Sequence, residues 1–247
     1  VFVDDNFAEL AQASSSVPGL RLVSCETGAH DALAVLRHTP GYRSFRRDDL
    51  GETRRADILS DEERAELLRS SLETYLSTAE PRLTFHTPTR ELVDRLADLC
   101  ARSNQFNVTL ARSGPDRFER ALAGDTILVG VEVADRYSHS GVVAGALGHR
   151  EGEVVMIEEL FMSCRVLGRG LEDAILCGAL ERLADSAGAA SVALPWTLGP
   201  RNEPALAWLR RHGTLDADAS GGTVRLDRAA LRAAARPPAG VTVDDKG

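Results

Sequence analysis

A strand, a turn and a helix in the middle of the chain constrain its fold most strongly. Residues 154–157 form an apolar run typical of a buried strand, and apolar positions recur with helical spacing over residues 171–187. Between them lies Arg165-x-x-Gly168-x-Gly170, where glycine lets the backbone come close to a ligand. The free N–H groups of a helix start favour an anion such as phosphate or pyrophosphate. An ordinary strand-to-helix turn with a solvated charge fits the same residues.

Length and charge exclude several classes of function. The 247 residues, 43% of them hydrophobic, suffice for one large core or two small ones, so we expect one or two domains. The formal net charge of −8 provides no basic surface for nucleic acid. We found no apolar run of membrane-spanning length and no signal-peptide pattern, so we expect a cytoplasmic protein without membrane contact. The cysteines lack the spacing of metal ligands, which argues against a structural zinc site.

The chain begins with what looks like a core strand. Asp4 and Asp5 follow its apolar residues, at a strand end where a parallel sheet presents ligands. Adjacent carboxylates repel each other unless a cation lies between them, and oxygen ligands suit Mg²⁺. A capped strand end is the alternative. Because the first residue is Val1 and not methionine, we expect the chain to be a fragment of a longer protein.

Further strands and helices are predicted around the central unit. The loop Ser103-Asn-Gln-Phe-Asn107 follows a predicted helix, and its amides either cap that helix or bind a ligand's hydroxyl and carbonyl groups. His139 falls in a predicted loop, as a solvated side chain or as a base that titrates near neutrality. The Ala/Arg-rich segment before Pro237 and Pro238 predicts a partly disordered tail.

Six motifs occur in the order seen in one protein family. They are Phe2-Val-Asp-Asp-Asn6, Ser103-Asn-Gln-Phe-Asn107, Asp135-Arg-Tyr137, Met162-Ser-Cys-Arg-Val166, Gly168-Arg-Gly170 and Thr197 with Arg201-Asn202. Together they resemble FkbH-like proteins, which join a haloacid dehalogenase (HAD)-type phosphatase domain to a GNAT-like acyltransferase domain. The resemblance implies an α/β fold, with a GNAT-like mixed sheet flanked by helices after the C-terminal remnant of a HAD-like parallel sheet. It places the HAD-like part and linker at residues 1–53, the acyltransferase at 54–228 and a tail at 229–247.

The resemblance also implies an activity. FkbH-like proteins load a glyceryl unit from 1,3-bisphosphoglycerate onto the phosphopantetheine arm of an acyl carrier protein, with dephosphorylation, in polyketide and antibiotic biosynthesis. The acyl group passes through a cysteine thioester, for which Cys164 beside the glycine turn is the candidate, although free cysteines are often simply buried. In the HAD-like part, Asp4 and Asp5 match aspartates that hold Mg²⁺, which we expect only if that domain is complete upstream. Because no Asp-x-Asp strand precedes Asp4, we expect no phosphatase activity from this chain as it stands.

Further roles carry over by position. At His139 the family usually has an acidic residue, and Trp208 lies near the position where acetyltransferases often place a tyrosine acid. The second departure argues against amine acetylation, although an acyl-CoA-dependent N-acyltransferase and a non-catalytic carrier-docking module remain alternatives. The implied site residues are Arg165, Gly168, Arg169, Gly170 and Asn202 for the phosphate and arm of pantetheine or coenzyme A; Asn104, Gln105, Asn107 and Arg136 for the small phosphorylated three-carbon substrate; and Cys164, Asp135 and His139 for catalysis.

Overall fold

The computed structural model divides the chain into two compact units, Val1–Arg55 and Ala56–Gly247. It describes residues 2–6, 9–10, 13, 17, 19–20, 22–25, 35, 66–69, 71–137, 139–216 and 218–246. The predicted domain boundary at residues 53–54 lies outside these residues. Within the described part of the chain, no helix is both long and apolar enough to cross a membrane.

The first unit contains two short parallel strands. Strand β1 (Phe2–Asp4) pairs in register with β2 (Leu22–Ser24). Asp4 lies at the end of β1, where its Oδ1 accepts a hydrogen bond of 2.8 Å from the backbone N–H of Asn6, and Asp5 is exposed. Asp4 therefore caps its strand end, as the simpler interpretation expected. The HAD-like origin of this unit and the binding of Mg²⁺ stay predictions.

The second unit is built on a mixed sheet flanked by helices, which confirms the expected fold class. Its strands, ordered β8-β7-β6-β5-β4-β3-β9 across the sheet, combine an antiparallel centre with parallel pairs at β6–β7 and β3–β9. In chain order the elements are α1 (Leu72–Ala79), β3 (Arg82–His86), α2 (Arg90–Arg102), α3 (Pro115–Ala123), β4 (Ile127–Ala134), β5 (His139–Glu151), β6 (Val154–Met162), α4 (Glu172–Ala187), β7 (Ser191–Thr197), α5 (Glu203–His212), β8 (Gly221–Leu226), α6 (Arg228–Ala234) and β9 (Thr242–Lys246).

Side chains from alternate positions of the central strands supply two apolar cores. Val129 and Val131 of β4 belong to the core that includes α4, whereas Leu128 packs with α2 and α3. This alternation follows from the period of two in a strand, which sends successive side chains to opposite faces. Helix α4 is almost wholly buried, as expected for a crossover between two parallel strands.

Strands β6 and β7 pair only at their beginnings. Residues 154–156 lie opposite residues 191–193, and beyond this point the two strands no longer form a ladder. In addition, Glu158 is an extra residue in β6, because Leu147 of β5 lies opposite Glu159 and Gly148 lies opposite Ile157. Such a β-bulge bends its strand and changes the direction of the side chain. The turn that leads from β6 to α4 therefore lies at a break in the sheet.

The C-terminal segment is ordered, which differs from the partly disordered tail predicted from its composition. Asp227 caps α6 by accepting a hydrogen bond of 2.8 Å from the N–H of Ala230. Strand β9 then pairs in parallel with β3, and Asp245 forms a 2.5 Å ion pair with Arg182 of α4. The alanines and arginines thus form a capped helix, and backbone pairing fixes the segment after it.

Candidate active site

Cys164 lies in the turn directly after β6. Residues Cys164–Val166 form one turn of 3₁₀-helix, and the hydroxyl of Ser163 accepts a hydrogen bond of 3.4 Å from the N–H of Arg165. The thiol-bearing residue is exposed, whereas Cys100 and Cys177 are buried. Burial raises the pKa of Cys100 far above its usual range and that of Cys177 to about 12. In the second unit, Cys164 is therefore the cysteine suited to nucleophilic attack.

A cavity of about 400 Å³ opens beside Cys164. Its lining includes the polar loop residues Asn104 and Gln105. Arg165 and Arg201 also line it, and neither guanidinium has a carboxylate partner within the described part of the chain. Cationic side chains beside neutral amides suit an anion that also carries hydroxyl groups.

Two further arginines at this cavity were missed by the sequence analysis. Arg95 and Arg102 of α2 line it, and both lie near Asp98, Arg95 at 3.7 Å and Arg102 in direct contact. Their spacing of seven residues places them on one side of the helix. A seven-residue spacing was the available signal, but surface arginines on helices are too common for it to indicate a site. Arg201 belonged to a quoted motif without receiving a role.

Asn107, predicted to contact substrate, instead supports the loop that carries it. It is fully buried, and its Oδ1 accepts a hydrogen bond of 2.8 Å from the N–H of Leu110. The neighbouring buried carboxylate of Glu159 accepts bonds from Ser113 N (2.6 Å) and Thr109 Oγ1 (3.0 Å). Because these polar groups satisfy one another away from solvent, Asn107 does not line the cavity beside Cys164.

Asn202, predicted to contact the pantetheine arm, also bonds to the protein itself. Its side-chain amide donates to Asn107 O at 3.0 Å and to Thr197 O at 2.9 Å. Its Oδ1 accepts a 2.9 Å bond from the N–H of Gly199, and the residue is buried. The geometry assigns Asn202 a bridging role between two loops, since its amide is occupied on both sides.

The chain itself fills the opening between the separated ends of β6 and β7. Val108 donates its N–H to Leu160 O of β6 at 3.0 Å, and its carbonyl accepts a 3.1 Å bond from the N–H of Thr197 in β7. Phe106 O accepts a 2.9 Å bond from the N–H of Met162. Residues 106–108 thus pair with both strands, so an extended ligand cannot pair with the same edge of β6 unless this segment moves.

The glycine turn has the predicted backbone but already holds an anionic group. Gly168 (φ +78°) and Gly170 (φ +69°) adopt the left-handed conformation that favours glycine. The N–H of Gly168 donates to Glu172 Oε1 at 2.5 Å. Asp173 follows in the first turn of α4. Burial alone would raise the pKa of Asp173, but bonds from His212 and Arg211 outweigh it and lower the pKa. A phosphate at this turn would therefore meet nearby negative charge.

Other predicted residues do not line the cavity. The guanidinium of Arg169 is buried and lies 3.5 Å from the buried carboxylate of Asp135, so this pair links two turns. Exposed Arg136 donates its backbone N–H to Ala79 O at 2.8 Å. His139 is the first residue of β5, and its 70% exposed side chain lies 3.1 Å from Glu132. None of these predicted residues is among the residues that line the cavity beside Cys164.

Comparisons with known proteins found matches among solved structures only. No protein-family model matches the chain, and no curated protein matches it significantly in sequence. A putative GNAT acetyltransferase from Desulfovibrio desulfuricans is 11% identical, with a TM-score of 0.43, covering 58% of this chain and 95% of its own. The PaiA N-acetyltransferase of Thermoplasma acidophilum, in complex with coenzyme A, is 9% identical, with a TM-score of 0.41 and coverages of 59% and 98%.

A tandem GNAT protein from the clavulanic acid pathway is 18% identical, with a TM-score of 0.39. The match covers 53% of this chain and 44% of that protein, so it extends over less than half of the tandem protein's length. Structural similarities with such low sequence identities and TM-scores carry no argument about function. The function is therefore argued from the geometry of the site.

Proposed function

We propose that this chain is an acyltransferase that carries a small acyl group on Cys164 and passes it to the thiol of a phosphopantetheine arm. The observation that carries the proposal is the exposed Cys164 beside a cavity with the cationic side chains of Arg165 and Arg201. A nucleophile, a space for a small substrate and charges for its phosphate thus lie together. The proposed donor is the acyl phosphate of 1,3-bisphosphoglycerate, and the proposed acceptor is an acyl carrier protein.

In the first step, the thiolate of Cys164 attacks the carbonyl carbon of the acyl phosphate. A carbon–sulfur bond forms, the bond from carbon to the phosphate oxygen breaks, and inorganic phosphate leaves with the electron pair of that bond. The arginines of the cavity stabilise the phosphate groups, since charge-assisted hydrogen bonds are about twice as strong as neutral ones. We propose that Asn104 and Gln105, which line the cavity, bind the hydroxyl of the glyceryl unit.

In the second step, the pantetheine thiolate attacks the thioester, and Cys164 leaves as a thiolate. Because residues 106–108 pair with the separated ends of β6 and β7, we propose that the arm reaches Cys164 through the open cavity. The phosphate of the arm would approach the turn at Gly168, where Glu172 now accepts the backbone N–H. Because no phosphatase activity is expected from this chain, removal of the 3-phosphate is not part of the proposed reaction, and binding of Mg²⁺ at Asp4 and Asp5 stays a prediction.

An acyl-CoA-dependent acylation of a small amine is less well supported. Trp208 supplies no phenolic acid, and its indole N–H donates to Asp173 at 2.9 Å. A carrier-docking module without catalytic activity is the third hypothesis. The experiment described next distinguishes it from the two acyltransferase hypotheses.

Intact-protein mass spectrometry tests the proposal. The chain is incubated with a 1,3-bisphosphoglycerate-generating system, then with a phosphopantetheinylated carrier protein, and any adduct is mapped to a peptide. We expect a phosphoglyceryl or glyceryl mass on Cys164 that moves to the carrier. Cys164→Ala should lose the adduct, and the matched control Cys25→Ala, which removes a partly exposed cysteine of the first unit, should keep it.

Three results would contradict this assignment. Loading that persists in Cys164→Ala would show that another group carries the acyl unit. Transfer from acyl-CoA to an amine without a protein adduct would support the N-acyltransferase. Binding of the carrier without any adduct would support the docking module.

A further inference from the structure

A histidine, a cysteine and an aspartate come together at the start of α4, and none of the three lines the cavity beside Cys164. Asp173 and Cys177 are four residues apart on α4 and so lie on the same side of the helix. His212, the last residue of α5, packs against them. The carboxylate oxygen, the thiol sulfur and the ring nitrogen all lie within 4.8 Å of one another.

These three donor atoms match the preferences of a borderline-soft metal ion. Thiolate and imidazole favour zinc and related transition metals, whereas Mg²⁺ and Ca²⁺ prefer oxygen ligands alone. Zinc bonds of about 2.0 Å to nitrogen and oxygen and about 2.3 Å to sulfur place tetrahedral ligands roughly 3.3–3.7 Å apart. Small side-chain rotations would therefore bring this cluster to zinc geometry.

We propose that Asp173, Cys177 and His212 bind a zinc-type divalent ion, with a fourth position open to water. Metal ligands are commonly oriented by an outer shell of hydrogen bonds. Here the indole N–H of Trp208 donates to Asp173 Oδ1 at 2.9 Å, and the indole also packs on the ring of His212 at 4.7 Å between centroids. The bound ion would fasten α5 to the first turns of α4, next to the glycine turn.

An ordinary ion pair is the competing explanation for the same contacts. His212 Nε2 lies 3.0 Å from Asp173 Oδ1, and Arg211 Nη2 donates to the same oxygen at 3.1 Å. In that case Cys177 is only a buried apolar side chain. The two explanations differ in what Arg211 does: its positive charge supports the ion pair but repels a metal cation.

Cobalt(II) titration of the tag-free full chain tests the proposal. A tetrahedral thiolate site gives intense visible bands and a thiolate-to-cobalt charge-transfer band, which zinc should bleach by displacement at one equivalent. We expect Cys177→Ser and His212→Gln to weaken binding by more than about 100-fold, the upper range for losing an outer-shell partner alone. Arg211→Gln should instead tighten binding several-fold, because it removes the competing cation.

Two cysteine controls make the result decisive. Cys164→Ala removes the exposed thiol, the alternative place for adventitious metal, and Cys100→Ser removes the other buried thiol of the second unit. Both should keep the cobalt spectrum. Circular dichroism checks that each variant is folded, and a zinc-dependent rise in the Tm of the unmutated chain provides a readout that needs no variant.

The proposal is overturned if the unmutated chain shows neither the cobalt bands nor a zinc-dependent Tm. It is equally overturned if the bands survive in His212→Gln and Cys177→Ser but disappear in Cys164→Ala. Weaker binding in Arg211→Gln would also contradict it, because that result makes the arginine part of the binding site.

Discussion

The carboxylate of Glu172 accepts a hydrogen bond from the backbone N–H of Gly168 at 2.5 Å, across the turn that leads into α4. The positive end of a helix dipole and free N–H groups make such a turn attractive to anions. In this chain Glu172 already supplies the anion. A pantetheine phosphate must therefore compete with a side chain that is tethered four residues away.

Glu172→Gln should strengthen binding of phosphopantetheine. Removing the negative charge relieves repulsion of about 0.3–1 kcal/mol, so we expect roughly a two- to fivefold lower Kd. Calorimetry with free phosphopantetheine at low salt measures it. The control is Glu203→Gln, which neutralises an exposed glutamate in the first turn of α5. An unchanged or higher Kd in Glu172→Gln would place the phosphate elsewhere.

We expect the arginines that line the cavity to bind the phosphate of the donor substrate. Replacing Arg201 or Arg165 by glutamine removes a charge-assisted hydrogen bond to phosphate, worth about 1.5–3 kcal/mol. We expect the KM for the acyl phosphate to rise about 10- to 100-fold, with a smaller effect at high salt. Arg225→Gln, on exposed β8, is the matched control. Kinetics of adduct formation on Cys164 provide the measurement, and equal KM values for all three variants would contradict the substrate assignment.

The local pattern of the sequence predicted the centre of this fold well. The apolar run at residues 154–157 and the helical spacing over residues 171–187 match β6 and α4 closely. A continuous apolar run and apolar residues at helical spacing both indicate burial directly, because the positions they occupy face the core. By contrast, the composition of residues 229–247 suggested disorder, and only pairing with β3, far away in sequence, reveals β9 as a strand.

The candidate site was predictable only in part, for a physical reason. Two residues of the loop after α2, Asn104 and Gln105, line the cavity beside Cys164, and their role as substrate ligands stays a prediction. However, amides satisfy a buried backbone as readily as a ligand, and sequence does not reveal which partner is nearest, as Asn107 and Asn202 show. Arg169 likewise pairs with Asp135. Ion pairs between distant segments exist only once the fold brings them together.

Cysteine labelling should separate the thiols of the second unit by burial. With iodoacetamide under native conditions, Cys164 should react quickly, because it is exposed. Cys100 and Cys177 should stay unmodified until the protein unfolds, since burial excludes the reagent and raises the pKa of both thiols. Peptide mapping after timed labelling, with and without denaturant, gives the three rates. Fast native labelling of Cys177 would mean that α4 opens readily.

The β-bulge at Glu158 predicts a pH-dependent contribution to stability. Burial alone would raise the pKa of Glu158, but hydrogen bonds from Arg117 and His149 outweigh it and lower the pKa below 4.5. The pKa of His149 is raised above 6.5, mainly by its hydrogen bond to Glu151 and further by Glu158. Burial opposes this shift but does not cancel it. His149 Nδ1 lies 2.5 Å from Glu158 Oε1. The histidine therefore stays protonated to a higher pH in the folded chain than in the unfolded chain.

The sign follows from that difference in proton binding. The stabilisation from His149 is complete below pH 6.5 and is lost as the pH rises through the higher folded-state pKa. The Tm of the unmutated chain should thus fall relative to that of His149→Gln as the pH rises above 6.5. Glu158 acts in the opposite window, because its stabilisation is lost as the pH falls below 4.5. Thermal unfolding across this pH range measures the effect, and His139→Gln, which replaces an exposed histidine, is the control. If the Tm of the unmutated chain and that of His149→Gln change in parallel with pH, the cluster at the bulge does not make stability depend on pH.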